Sequence, residues 1–74
     1  MMLVHWKVLE CIFLKTDFIF ERQEGRHRSY SKPGCLRPVV IPSYKEIDTD
    51  IIHANMRTAR MSRDDYFKYL VQCS

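Results

Sequence analysis

Cysteine is scarce in this chain, and what there is has no pattern. Cys11, Cys35 and Cys73 are an odd number with no two at metal-ligand spacing, which argues against both a disulfide framework and a zinc site. A reducing cytoplasm is the simplest compartment for such a chain. Long apolar runs are missing too: the stretch from Val8 to Phe20 is broken by Glu10, Lys15 and Asp17. It is therefore neither a membrane-spanning helix nor the apolar part of a signal peptide, and no membrane association is expected. Internal repeats and low-complexity tracts are absent. With 74 residues there is no room for a second domain, so residues 1–74 are expected to form one domain near the lower size limit for an unaided core.

Acidic residues are scarce in the middle of the chain. Between Arg22 and Lys45 there are six cations (Arg22, Arg26, Arg28, Lys32, Arg37 and Lys45) against one acid, Glu24. A locally basic centre in a chain of formal charge +3 favours a polyanionic partner. Apolar residues make up 46% and aromatics 12%, enough for a compact core and too much for wholesale disorder.

Trp6, Leu9, Ile12 and Phe13 recur at helical spacing, with Val8 widening the stripe, and predict an amphipathic helix from about His5 to Thr16. Phe18 to Gln23 reads as a strand that enters a Glu24-Gly25 hairpin turn. A second strand is expected over about Arg26 to Ser31. It ends at Lys32-Pro33-Gly34, where Pro presets φ and Gly takes the left-handed position of a type II turn. A third strand covers Arg37 to Ile41 and closes at Pro42. Asp48-Thr49-Asp50 supplies an N-cap and favourable charge for a second helix, about Asp50 to Arg60. Ser62-Arg63-Asp64-Asp65 resembles a capping box and predicts a short final helix docked by Tyr66, Phe67 and Leu70. Trp6, Phe13, Phe18 and Phe20 are expected in the core of so small a chain. Tyr44, in a loop, is free to stack on a base.

His27 carries the chemical interest. Histidine is the side chain whose unperturbed pKa, about 6.5, lets it accept and donate a proton near neutrality, and here it follows a glycine turn among arginines that suit phosphate. Period-two alternation puts His27 on one strand face with Ser29 and Ser31, and Arg26, Arg28 and Tyr30 on the other. His27 should be accessible, whereas arginines on the helix-covered face would have to snorkel. His5 and His53 fall in no functional cluster and read as ordinary surface or boundary residues.

The run Phe18-x-Phe20-x-Arg22-Gln23-x-Gly25-x-His27-x-x-Tyr30, with Val39-Val40-Ile41-Pro42, Lys45-Glu46-Ile47 and Ala59-x-Met61-Ser62, resembles the HicA family, the toxin half of HicA/HicB toxin-antitoxin pairs. The resemblance spans about residues 7–70. It implies an α+β domain like double-stranded-RNA-binding domains, α-β-β-β-α with a short extra C-terminal helix. It also implies a metal-independent, cofactor-free endoribonuclease that cleaves mRNA and inhibits translation, a HicB-type antitoxin as partner, and His27 as the catalytic residue. RNA-binding roles are expected for Arg22, Arg26, Arg28, Lys32, Arg37 and Lys45, in a protein that is a monomer or small homo-oligomer when free. Three positions depart from the family pattern: Arg26 stands where Ser is usual, and Asp17 and Arg60 where Gly is usual. The last two must then accept turn conformations that glycine takes more easily.

Cleavage of RNA can use its own 2′-hydroxyl as nucleophile, given a base to take that proton and an acid to protonate the leaving oxygen. His27 can fill one role. Ser29, Lys45, Tyr30 and substrate-bound water are candidates for the other, and Arg22, Arg26, Arg28 or Lys45 can stabilise charge on the phosphorane. Two alternatives remain: a module that binds structured RNA without cutting it, and a domain that serves only to bind an antitoxin.

Overall fold

The computed structural model describes residues 2–74. Helix α1 covers Trp6–Lys15, and the His5 Nδ1 accepts from the Lys7 N–H at 3.1 Å as its N-cap. Its apolar stripe places Leu9, Ile12 and Phe13 fully out of water. The helix stops at Thr16, and Asp17 reverses the chain at φ 75°, the left-handed position that the resemblance implied for it.

Strands β1 (Ile19–Glu24), β2 (His27–Ser31) and β3 (Val39–Pro42) form an antiparallel sheet in the order β1-β2-β3. Glu24 pairs with His27, so the hairpin turn is Gly25-Arg26, one residue later than expected, with Gly25 at φ 57°. Lys32-Pro33-Gly34-Cys35 makes the second turn, with Gly34 at φ 84° and the Cys35 N–H donating to the Lys32 carbonyl at 3.0 Å. Helix α2, Thr49–Ala59, is capped by Asp48, whose carboxylate accepts from the Ile51 N–H at 3.0 Å. Helix α3, Arg63–Cys73, is capped by Ser62, whose Oγ accepts from the Asp65 N–H at 3.1 Å. The architecture is therefore α+β, α-β-β-β-α with an additional C-terminal helix as long as α2.

The helices supply Leu9, Ile12, Phe13, Ile52, Met56 and Tyr66 to one buried cluster with Tyr30, Val39 and Ile41 of the sheet. Burial of each such side chain contributes about 1.5–3 kcal/mol. The buried Asn55 is satisfied by donating from Nδ2 to the Val40 carbonyl at 3.0 Å, which ties α2 to β3. On the opposite face the β1 side chains and His27 are exposed, Ser29, Ser31 and Val40 are half-buried, and Pro42 is buried.

A β-bulge interrupts β1. Phe20 opposes Tyr30 and Arg22 opposes Ser29, so Glu21 is the extra residue. Directly opposed residues share a face. Phe20 and Gln23 therefore lie on the helix side, and Ile19, Arg22 and Glu24 on the side away from the helices. Phe20, expected in the core, is 44% exposed and packs edge-on against Tyr30 at the sheet margin.

The expectation for the cysteines is overturned. Cys11 of α1 and Cys73 of α3 form a disulfide across 62 positions of sequence, with Cα atoms 5.8 Å apart. The two cysteines come together because α3 packs along α1, an approach of distant segments that no local spacing encodes. Cys35 is the free thiol.

Candidate functional site

His27 is exposed at the first position of β2, on the face away from the helices, beside the hairpin turn. Its cross-strand neighbours on that face are Glu24 on one side and Pro42 on the other, and Ser29 follows it two residues along the strand. Directly opposed side chains have Cβ atoms about 4.5–5.5 Å apart, so the Glu24 carboxylate and the His27 imidazole share one small surface. Arg22 is next on the same face, and its Nε donates to Glu24 Oε1 at 2.8 Å. The two members of that pair are 73% and 72% exposed, so the contact orients Glu24 without adding much stability.

Arg26 occupies the turn itself, next to His27. The Ser43 N–H donates to the Arg26 carbonyl at 2.7 Å and the Tyr44 N–H to the Pro42 carbonyl at 2.8 Å. These bonds fold the segment after β3 back beside the hairpin, which brings Lys45 to the same end of the sheet as His27. Tyr44 is 38% exposed there.

Arg28 and Tyr30 have a different task. Both face the helices. Arg28 donates from Nη2 to Glu10 Oε2 at 3.0 Å, from Nη1 to Gln23 Oε1 at 2.6 Å and from Nε to Tyr30 Oη at 3.0 Å. Tyr30 Oη donates in turn to Glu10 Oε2. The guanidinium lies 4.9 Å from the Trp6 ring centre and 4.3 Å from that of Phe20, a desolvating cation–π setting. The Arg28 side chain keeps only 19% of its exposure. Its pKa is raised by the bond to Tyr30 and by Glu10, so it stays charged and fully employed. Burial, followed by the hydrogen bond to Glu10, pushes the Tyr30 phenol up to about 12. Arg28, expected among the RNA-binding residues, is thus the anchor of α1 on the sheet. Tyr30, a candidate proton donor, is sealed on the wrong face for that role.

Lys32 and Arg37 lie at the other end of β2, around the turn that leads to β3. The distance from His27 to Lys32 along the strand is about 16 Å at roughly 3.3 Å per residue. The expected RNA-contacting residues therefore separate into Arg22, Arg26 and Lys45 near His27, Lys32 and Arg37 at the far end, and Arg28 beneath the sheet. Glu24 is the residue that sequence reasoning passed over. The hairpin register was the signal for it, and placing the turn one residue early hid the pairing. His5 serves as a helix cap. Among the described residues no three of His, Cys, Asp and Glu gather as metal ligands, and no helix is long and apolar enough to cross a membrane.

No protein-family model matches the chain, and no curated protein sequence does either. The likeness to HicA proteins accordingly stands on the residues quoted for it.

Proposed function

We propose that this chain is an endoribonuclease toxin of the HicA type, which cuts mRNA without a metal and is held in check by a HicB-type antitoxin. The observation that supports this most directly is the exposed Glu24–His27 pair on the face away from the helices, with Arg26 in the adjoining turn and Lys45 at the same end of the sheet. A carboxylate and an imidazole opposite each other can divide the two proton transfers. Glu24, already an acceptor for Arg22, takes the proton of the 2′-hydroxyl as that oxygen attacks the adjacent phosphorus. His27 returns a proton to the departing 5′-oxygen, which leaves a cyclic phosphate on one fragment and a free hydroxyl on the other. Arg26 and Lys45 face the charge that grows on the phosphorane. Each positioned acid or base is worth roughly 10²- to 10⁴-fold in rate.

The proposed compartment is the cytoplasm, where the glutathione pool would hold Cys11 and Cys73 as neighbouring thiols. An antitoxin covering the His27 face would block RNA entry without unfolding the domain. Cleavage of labelled RNA in EDTA by the wild type, His27→Ala and Glu24→Gln tests the reading. The wild type should cut RNA but not DNA of the same sequence, and both variants should be slower by at least roughly 10²-fold. If wild type and His27→Ala bind RNA equally and both leave it intact, the protein is an RNA-binding module and the nuclease reading fails.

A further inference from the structure

A second concavity of the molecule lies away from His27. A cleft of about 860 Å³ lies between the β2–β3 loop and the C-terminal end of α2, lined by Lys32, Arg37, Arg57 and Arg60 with no acidic residue in its wall. The ion pairs among the described residues are Arg22–Glu24 and Arg28–Glu10, so none of these four cations is neutralised by a direct partner. Their arrangement is held in place. Cys35 Sγ reaches the Thr58 carbonyl at 3.3 Å, which pins the loop to α2, and the Lys32–Cys35 turn fixes the near wall.

Arg60 is the most telling of the four. It adopts φ 54°, a left-handed backbone that costs a non-glycine residue of order 1–3 kcal/mol. Glycine would sit there without strain. Cations at a helix C-terminus are ordinarily explained by the macrodipole, whose half charge they offset. That account covers Arg57 and Arg60 at most. It leaves Lys32 and Arg37, which come from another segment, and a surplus of full positive charge. Lys32 and Arg60 also border a smaller hollow that contains Asp17 and Asp65. Arg37 and Arg57 face the cleft alone.

We infer that this cleft is a second anchoring site for the phosphate backbone of RNA, remote from the reacting phosphodiester. The inference rests on the RNA-directed reading above and extends it. Four cations on an open, solvated wall suit a flexible polyanion better than a compact apolar ligand, whose pockets are mostly greasy. About 16 Å of strand separates His27 from Lys32, which borders the cleft. An RNA cut at His27 must span the gap between the two sites to gain from the cleft. Cleavage efficiency should therefore rise with substrate length and level off once the gap is bridged.

The test is fluorescence anisotropy of labelled RNA with the full-length chain carrying His27→Ala, so that the probe survives. Adding Arg37→Gln and Arg57→Gln should weaken binding roughly tenfold and lower the slope of log Kd against log salt by roughly 1.4–1.8, the change expected when two phosphates are no longer neutralised. Arg63→Gln with Lys68→Gln, cations of α3 outside the cleft, serves as the control and should change little. Arg60→Gly should raise Tm and yet weaken RNA binding, a split that a purely structural arginine would not give. In the active protein the cleft variants should raise KM and leave kcat unchanged. Equal affinity and slope in the cleft variant and its parent overturn the cleft alone. A wild type that binds no RNA overturns the cleft and the nuclease reading together, whereas cleft-dependent binding by a protein that never cuts supports the cleft and sinks the nuclease. Binding of poly-glutamate as tight as that of RNA overturns the assignment in favour of an acidic protein partner.

Discussion

Reduction of the Cys11–Cys73 bond should be the most destabilising single chemical change available to this protein. The bond closes 62 positions of sequence, and the chain-entropy cost that it removes from the unfolded state scales with the logarithm of that number. At 25 °C this amounts to about 4 kcal/mol. A chain of 74 residues has a total stability of roughly 4–11 kcal/mol, so the bond carries a third of it or more. At about 4–8 °C per kcal/mol for a domain of this size, Tm should fall by roughly 16–32 °C on reduction. The loss should also have a location. Helix α3 is held to the rest mainly through α1, with Tyr66 as its one fully buried side chain. Amide exchange over residues 63–73 should accelerate first, ahead of β2 and β3. The assay is calorimetry with and without reductant, after alkylating Cys35, with Cys11→Ser/Cys73→Ser as the reagent-free counterpart. Oxidised and reduced forms that melt within about 5 °C, equivalent to about 1 kcal/mol, would refute the reasoning.

Other outcomes follow from the same structure. Tyr30 is held protonated up to about pH 12 against an ordinary value of 10.0; its folded pKa is raised, so its contribution is full below pH 10 and disappears as pH climbs to about 12. That amounts to about 3 kcal/mol, and Tyr66, raised by burial, adds in the same direction. Unfolding midpoints measured across this range should drop steeply for the wild type and less for Tyr30→Phe; parallel curves would show that the phenol is not responsible. Glu10→Ala removes the shared acceptor of Arg28 and Tyr30 and should cost about 3 kcal/mol in urea titration. Asp17→Gly and Arg60→Gly should each stabilise, by a few tenths and by about 1 kcal/mol respectively in the same titration, since Asp tolerates left-handed backbone better than Arg.

Much of the architecture is readable in the sequence alone. Helical spacing marks α1 and α2, Asp48 and Ser62 announce their helices, and Gly25 and Gly34 mark the turns, because each of these signals is local. The left-handed turns at Asp17 and Arg60 are foreseen only through the HicA likeness, whose pattern has Gly at both positions. The disulfide is not foreseen, since nothing near Cys11 points to Cys73. The outward position of Arg22 and Glu24 depends on an extra residue that breaks strict alternation, and a period-two reading has no place for it. Arg28 resembles a phosphate ligand because its charge is visible in the sequence, whereas its partner Glu10 lies 18 residues away on another element. The cleft is half visible: Lys32 and Arg37 stand in the basic stretch, but Arg57 and Arg60 join them only once α2 has packed.

The bulge at Glu21 bears on how this chain tolerates changes of length. With Glu21 removed, Ile19, Phe20, Arg22, Gln23 and Glu24 would alternate without interruption, and every cross-strand pair with Ser31, Tyr30, Ser29, Arg28 and His27 would survive. A residue inserted or deleted at most strand positions inverts all that follow. Here a single-codon deletion should leave the Glu24–His27 pair where it is, and would remove only the bond that the Ser31 hydroxyl donates to Glu21. Position 21 is thus the place in β1 where the assignment of faces can be reset without moving the chemistry.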